Sequence, residues 1–300
     1  MWFKNLKLFT LTQSIELSDD DLQDKLKALS FRPCGSQELA TMGWTSPSGQ
    51  GELYYHAADN RFWITLKKQE RLLPATVVNA ELAEKVAQIE ADTGAPVGKK
   101  AQQDLKQEII HRLLPQAFTK NTFTHGFISV KDNLVVVDAS SDGKAEAFLA
   151  MLRKAIGSLP VVPIGRRSIQ ADLTIWLKGG SVPPAITLLE EAELRATNEE
   201  GSIIRCKNQD LSADEIAQHI DAGKLVQKLA VEWDETLTCL LQEDLAIKRL
   251  KFTDMIKEQN DDIPKDQLMA KLDADFTLMS SEVVRFAQWL ADTFNLHEDE

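Results

Sequence analysis

Seven carboxylates lie between positions 254 and 275: Asp254, Glu258, Asp261, Asp262, Asp266, Asp273 and Asp275, with Asp273-Ala274-Asp275 the one pair separated by a single residue. Grouped carboxylates can hold a divalent cation and activate water for phosphodiester hydrolysis, the chemistry of a metal-dependent nuclease. Side chains two apart diverge on a helix or share one face of a strand, however, so the pair alone specifies little. Solvated carboxylates at helix ends give the same pattern. His56, His111, His125, His219 and His297 contain no i, i+4 pair. Cys34, Cys206 and Cys239 are widely spaced, without the Cys-x-x-Cys spacing of a zinc site, and read as reduced thiols. A phosphate-cradling glycine loop followed by Lys-Ser or Lys-Thr is absent from the sequence, as is a Gly-x-Ser-x-Gly elbow. The expectation is a protein without cofactor, metal or enzymatic activity.

Charge is the more informative pattern. The formal net charge is -12, yet residues 99 to 167 hold eleven Lys or Arg against six Asp or Glu. Such segregation suggests a polyanion-binding surface on an otherwise acidic body, although solvated helix faces produce similar runs. Lys100, Arg112 and Lys120 lie in this window. Phe118 and Phe123 bracket Lys120, just beyond Pro115. Phe118 has three readings at this level: packing on its own domain, touching a second subunit, or stacking on a base. A second patch, Arg205-Cys206-Lys207-Asn208-Gln209, offers cationic and amide donors for phosphate oxygens, or is a plain exposed loop. Lys248-Arg249-Leu250-Lys251 is weaker, because strand alternation divides its charges between two faces.

These residues need a scaffold. Three hundred residues at 43% hydrophobic make one large or two to three modest domains. No apolar run approaches the ~18 residues of a membrane span, and the opening Met1-Trp2-Phe3-Lys4-Asn5-Leu6 lacks a secretory pattern, so a cytoplasmic address is expected. A strand over the first eleven residues precedes a helix capped at Ser18, with Leu22, Leu26 and Leu29 on one side. A hairpin pairs 52–57 with 62–72. Leu82, Val86 and Ile89, then Leu105, Ile109 and Leu113, form two stripes separated by Thr93-Gly94-Ala95-Pro96-Val97-Gly98: a helical hairpin with arms of about 17 residues. A second β-hairpin spans 123–138 and a helix 141–156. The sequence predicts a strand at 169–177, an acidic patch around Glu190, Glu191, Glu193, Glu199 and Glu200, a strand at 203–207, a helix at 212–220 and a meander over 225–252. Helices at 252–259, 264–272 and 281–294 close the chain. Without a regular βαβ repeat the expected class is α+β, with mixed antiparallel sheets and helices. The expected parts are 1–73, a projecting helical hairpin at 74–118, and 119–300.

Read in order, several islands resemble the bacterial recombination-associated RdgC family over nearly the whole chain. They are Trp2-Phe3-Lys4-Asn5-Leu6, Pro33-Cys34-Gly35-Ser36-Gln37, Met42-Gly43-Trp44, Leu113-Leu114-Pro115 with Ala117-Phe118, Gly157-Ser158-Leu159-Pro160-Val161-Val162-Pro163, Leu250-Lys251-Phe252 and Asp273-Ala274-Asp275-Phe276. The resemblance implies a non-enzymatic protein that forms a ring-shaped homodimer, binds duplex DNA with little sequence preference and restrains RecA by limiting its access to DNA. It also implies association with the nucleoid. Phe118 becomes the candidate subunit contact; Lys100, Arg112, Lys120, Lys207, Asn208 and Gln209 become candidates for DNA. Gln116 stands where the family is familiar with an arginine. Two alternatives remain open: a nuclease using Asp273 and Asp275, and an acidic adaptor that binds RecA directly.

Overall fold

The computed structural model describes residues 2–49, 51–198, 201–264 and 266–296; Met1, Glu199, Glu200 and His297 lie outside these. In chain order the elements are β1 (Leu6–Leu11), α1 (Asp19–Ala28), β2 (Ala40–Thr45), β3 (Tyr55–Ala58), β4 (Arg61–Arg71), α2 (Ala75–Thr93), α3 (Lys99–Leu113), β5 (Thr119–Ser129), β6 (Leu134–Asp138), α4 (Asp142–Ile156), β7 (Val161–Pro163), α5 (Gln170–Leu177), β8 (Ile186–Ala196), β9 (Ile203–Lys207), α6 (Asp214–Asp221), β10 (Lys224–Trp233), β11 (Leu237–Gln242), β12 (Ile247–Phe252), α7 (Asp254–Lys257) and α8 (Leu268–Thr293). The pairs β1–β6, β1–β12, β11–β12, β10–β11, β8–β10 and β8–β9 are antiparallel, and the α+β expectation holds. No helix among the described residues is long and apolar enough to cross a membrane.

Two compact units emerge: Met1–Leu26 with Ser46–Thr65 and Thr124–Glu300, and Lys27–Thr45 with Leu66–Phe123. In the first, strands run in the order β4-β5-β6-β1-β12-β11-β10-β8-β9, with β3 on β4 and β7 on β1. Asp59 and Asn60 between β3 and β4 have φ of 49° and 56°, and Asp234 between β10 and β11 has 50°, all residue types that tolerate the left-handed region; Glu235 beside Asp234 takes 56° as well. Two consecutive positive φ values suit the twist of a tight hairpin.

One face of this sheet is sealed by α8. Its buried Phe276, Met279, Val283, Phe286, Ala287 and Leu290 recur at helical spacing. Aromatic pairs pin it: Phe276 on Trp63 at 5.5 Å and Phe286 on Trp233 at 5.1 Å between centroids. Each such pair adds about 0.5–1.5 kcal/mol beyond the area it buries.

Three expectations are corrected here. The predicted strand at 169–177 is helix α5, because Ile169, Leu173, Trp176 and Leu177 form one buried stripe while Ile175 stays exposed. The acidic patch contains strand β8, in which Ala192 and Leu194 point inward and Glu191 and Glu193 alternate with them. The two last helices are one, α8; Phe276, Met279 and Ser280 are buried where a break was expected.

The second unit holds β2, the ends of β4 and β5 from Leu66 and up to Phe123, and the helices α2 and α3. Val78 and Ile109 are buried between the helices, and Lys85–Glu108 at 2.7 Å and Arg112–Glu81 clamp them. Gly94, at φ 66°, ends α2 in a left-handed cap.

In the first unit, His125 accepts or donates a 2.9 Å bond at Nδ1 with Thr65, and burial lowers its pKa to about 4. A histidine depressed below its ordinary value of about 6.5 stabilises the fold in its neutral form. That stability is fully present above pH 6.5 and is lost as pH falls from 6.5 to about 4. The loss approaches about 3 kcal/mol at the acid end. Urea unfolding at pH 7 and 5 should therefore show a smaller pH dependence in His125→Asn than in the parent; equal dependence would refute this.

Candidate nucleic-acid interface

The sheet face opposite the α8 core is cationic in the first unit. On β9, Cys206 points into the core while Arg205 and Lys207 point outward. Their neighbours follow from register: Lys207 stands across from Glu191 and Arg205 from Glu193, and Lys228 of β10 is also opposite Glu193. β12 then adds Lys248, Arg249 and Lys251. Strand alternation alone would turn one of these inward. It does not, because the β11–β12 register slips by one residue between Thr238–Lys251 and Leu240–Lys248, and Arg249 takes φ 51°. This bulge leaves Ile247, Leu250 and Phe252 in the core and all three cations outside it. The expected division of charge on β12 is thus overturned.

Several of these cations already have anionic partners. Glu193 Oε2 accepts from Arg205 Nε at 2.7 Å and its Oε1 lies 2.9 Å from Lys228 Nζ; Arg249 reaches Glu191 at 2.8 Å. Lys248 donates to the Ser140 carbonyl at 2.8 Å, and burial lowers its pKa. Lys207 and Lys251 have no carboxylate partner among the described residues. Beyond Lys207 the chain turns at Asn208, φ 51°, and the Gln209 amide returns to the Glu190 carbonyl at 3.3 Å. The structure therefore groups Lys207, Asn208 and Gln209 at the end of β9.

Lys100, Arg112, Phe118 and Lys120 belong to the second unit. Lys100 is exposed in the first turn of α3, Arg112 is occupied by Glu81, and Lys120 is exposed on β5. Phe118 is 84% exposed. Backbone bonds gather other apolar side chains around it: Leu72 N donates to the Phe118 carbonyl at 2.7 Å and Arg71 N to the Leu39 carbonyl at 2.8 Å. Leu39 and Leu72 are themselves exposed. Arg71 holds this edge by donating to the carbonyls of Gly35, Pro115 and Ala117.

The acidic pair does not converge. Asp273 pairs with His56 at 3.1 Å; Asp275 is buried and accepts from Asn260 at 3.1 Å, with Lys271 at 3.3 Å. Among the described residues no group of three or more His, Cys, Asp or Glu is placed to hold a metal ion.

A family model described as "Putative exonuclease, RdgC" matches residues 1–297. The chain belongs to the RdgC family. A recombination-associated protein RdgC from Pseudoalteromonas atlantica is 68% identical over 300 residues, covering all of both chains. Proteins of the same name from Aeromonas hydrophila and Proteus mirabilis are 47% identical over 288 residues and 44% over 285, covering 95% and 94% of each chain. Within this RdgC-family chain, the term exonuclease finds no counterpart in the Asp273 and Asp275 geometry, since Asp275 is already ion-paired with Lys271 and hydrogen-bonded by Asn260.

Proposed function

We propose that this chain binds duplex DNA without sequence preference and without catalysis, and that two copies close into a ring around it, modulating recombination by restricting RecA access to DNA. The carrying observation is the outward row of Arg205, Lys207, Lys228, Lys248, Arg249 and Lys251 on one sheet face. Phosphate contacts need such cations and need no recognition helix. Lys100, Lys120, Asn208 and Gln209 extend the candidate contacts, with Arg112 released from Glu81 only at the expense of the helical clamp. The names of the relatives support the link to recombination. A cytoplasmic, nucleoid-associated location follows from the same reading.

Fluorescence anisotropy with a 30-bp duplex tests it. If about six phosphates are neutralised, log affinity should fall with log salt at a slope of roughly -5 or steeper; a slope near zero sinks the proposal. Nicking of plasmid in magnesium or manganese would instead establish the nuclease. Inhibition of RecA that survives saturating competitor DNA would establish the adaptor.

Phe118, with Leu39 and Leu72 beside it, supplies the apolar contact that closes the ring in this reading, as part of the helical-hairpin portion 74–118. Phe118→Ala should leave monomer stability within about 0.5 kcal/mol, because the ring is exposed. Sedimentation should show the dimer dissociating at concentrations at least about tenfold higher than the parent's. An unchanged dimer would remove Phe118 from the interface.

A further inference from the structure

A cleft of about 240 Å³ opens on the cationic sheet face, lined by Glu191, Glu193, Arg205, Lys207, Lys228 and Arg249. Four cations and two carboxylates leave an excess of positive charge, yet the carboxylates occupy the centre. The Glu193 side chain is 16% exposed, against 67% for Arg205, and its two oxygens are divided between Arg205 and Lys228. Burial alone would raise the Glu193 pKa; Lys228 and Arg205 hold it below the usual range, so the group is anionic at neutral pH. A carboxylate with one cation at each oxygen presents the charge and acceptor geometry that a phosphodiester would present to the same cations.

We infer that the cleft is a phosphodiester seat whose cations are held in the DNA-free protein by Glu191 and Glu193, and that these carboxylates brake DNA binding. Resting on the DNA-binding reading above, the inference adds an exchange step to it. Lys207, without a carboxylate partner, meets the incoming phosphate. Arg205, Lys228 and Arg249 turn their donors from carboxylate to phosphate oxygens. No bond is made or broken; the phosphate enters beside two fixed negative charges, so each handover yields less affinity than a free cation gives. The brake makes contact here weak and readily reversed, which suits a protein that retains DNA by enclosure.

The test compares Glu193→Gln, Glu191→Gln and the double variant with the parent, using a 30-bp duplex from 50 to 200 mM NaCl. Glu258→Gln, an equal charge change on the α8 side of the molecule, controls for net charge. Each cleft variant should raise affinity about tenfold at 0.1 M salt and steepen the salt slope by about one, with Glu258→Gln giving less than about a twofold change. Glutamine keeps the acceptor and the size, and Glu191→Gln, which among the described residues breaks one ion pair, that with Arg249, covers the case in which Glu193→Gln lowers the melting temperature. Unchanged or lower affinity in the folded Glu191 and Glu193 variants overturns the brake while the DNA-binding reading stands, provided loss of Lys207 and Lys251 still weakens binding. If neither set of variants alters affinity, the DNA-binding surface itself is wrong. Displacement of duplex by inorganic phosphate at matched ionic strength, more effective against the parent than against Lys207→Gln, would reassign the cleft to free phosphate.

Discussion

Replacing Lys207 and Lys251 by glutamine is expected to lower duplex affinity by about three orders of magnitude at 0.1 M salt. Both side chains point away from the core, and neither has a carboxylate partner among the described residues, so the full charge of each is open to DNA. In a two-copy ring the double substitution removes up to four phosphate contacts. Each contact releases about 0.9 of a counterion, and the salt slope should become shallower by about three to four. The loss should be the same for AT-rich and GC-rich duplexes, because phosphate contacts carry no sequence information. A loss confined to one sequence would indicate base readout, and an unchanged slope would place these lysines away from DNA.

Phe276→Ala should destabilise the protein by about 3–5 kcal/mol, the usual cost of emptying a buried aromatic site. Phe276 is 1% exposed and meets three rings at once: Trp63 at 5.5 Å, His56 at 5.8 Å and Phe127 at 6.0 Å. All four belong to the first unit, so the cavity would open where α8 meets the sheet. Equilibrium urea denaturation reads the change directly. A shift below about 1 kcal/mol would mean that the site collapses around the alanine and that α8 depends little on this contact. Phe118 has the same transfer free energy but is 84% exposed, so its truncation costs the fold little.

Much of this arrangement is legible in the sequence because local chemistry and tertiary structure agree. The turns use Asp59, Asn60 and Asp234, residue types that accept positive φ, and the stripes of α2 and α3 predict their hairpin. The failures share a cause: short-range preference pointed away from tertiary packing. Thr174 and Ile175 favour a strand, but four apolar side chains at helical spacing decide α5. β8 is rich in Glu, Leu and Ala, which favour helix, and its alternation is visible only once β9 and β10 flank it. The cationic face is legible only in pieces. The sequence displays the Arg205–Gln209 patch and the Lys248–Lys251 run separately and gives no sign of Lys228, whereas Arg205, Lys228, Arg249 and Lys251 come from three strands and converge only through register. The Arg249 bulge breaks the period on which any alternation rule depends.

Among the described strands β9 is the last of its sheet, so one row of its backbone donors and acceptors faces no described strand. Its sequence, Ile203-Ile204-Arg205-Cys206-Lys207, would be a sticky segment if the two charges were absent, and Ile203 is already 47% exposed. Charged side chains on an edge strand discourage a second molecule from adding to the sheet. Arg205 and Lys207 therefore keep the protein from self-assembling through its border whatever they do for DNA. Removing both for alanine would leave an uncharged five-residue edge, and such a protein is expected to form fibrils or precipitate on concentration.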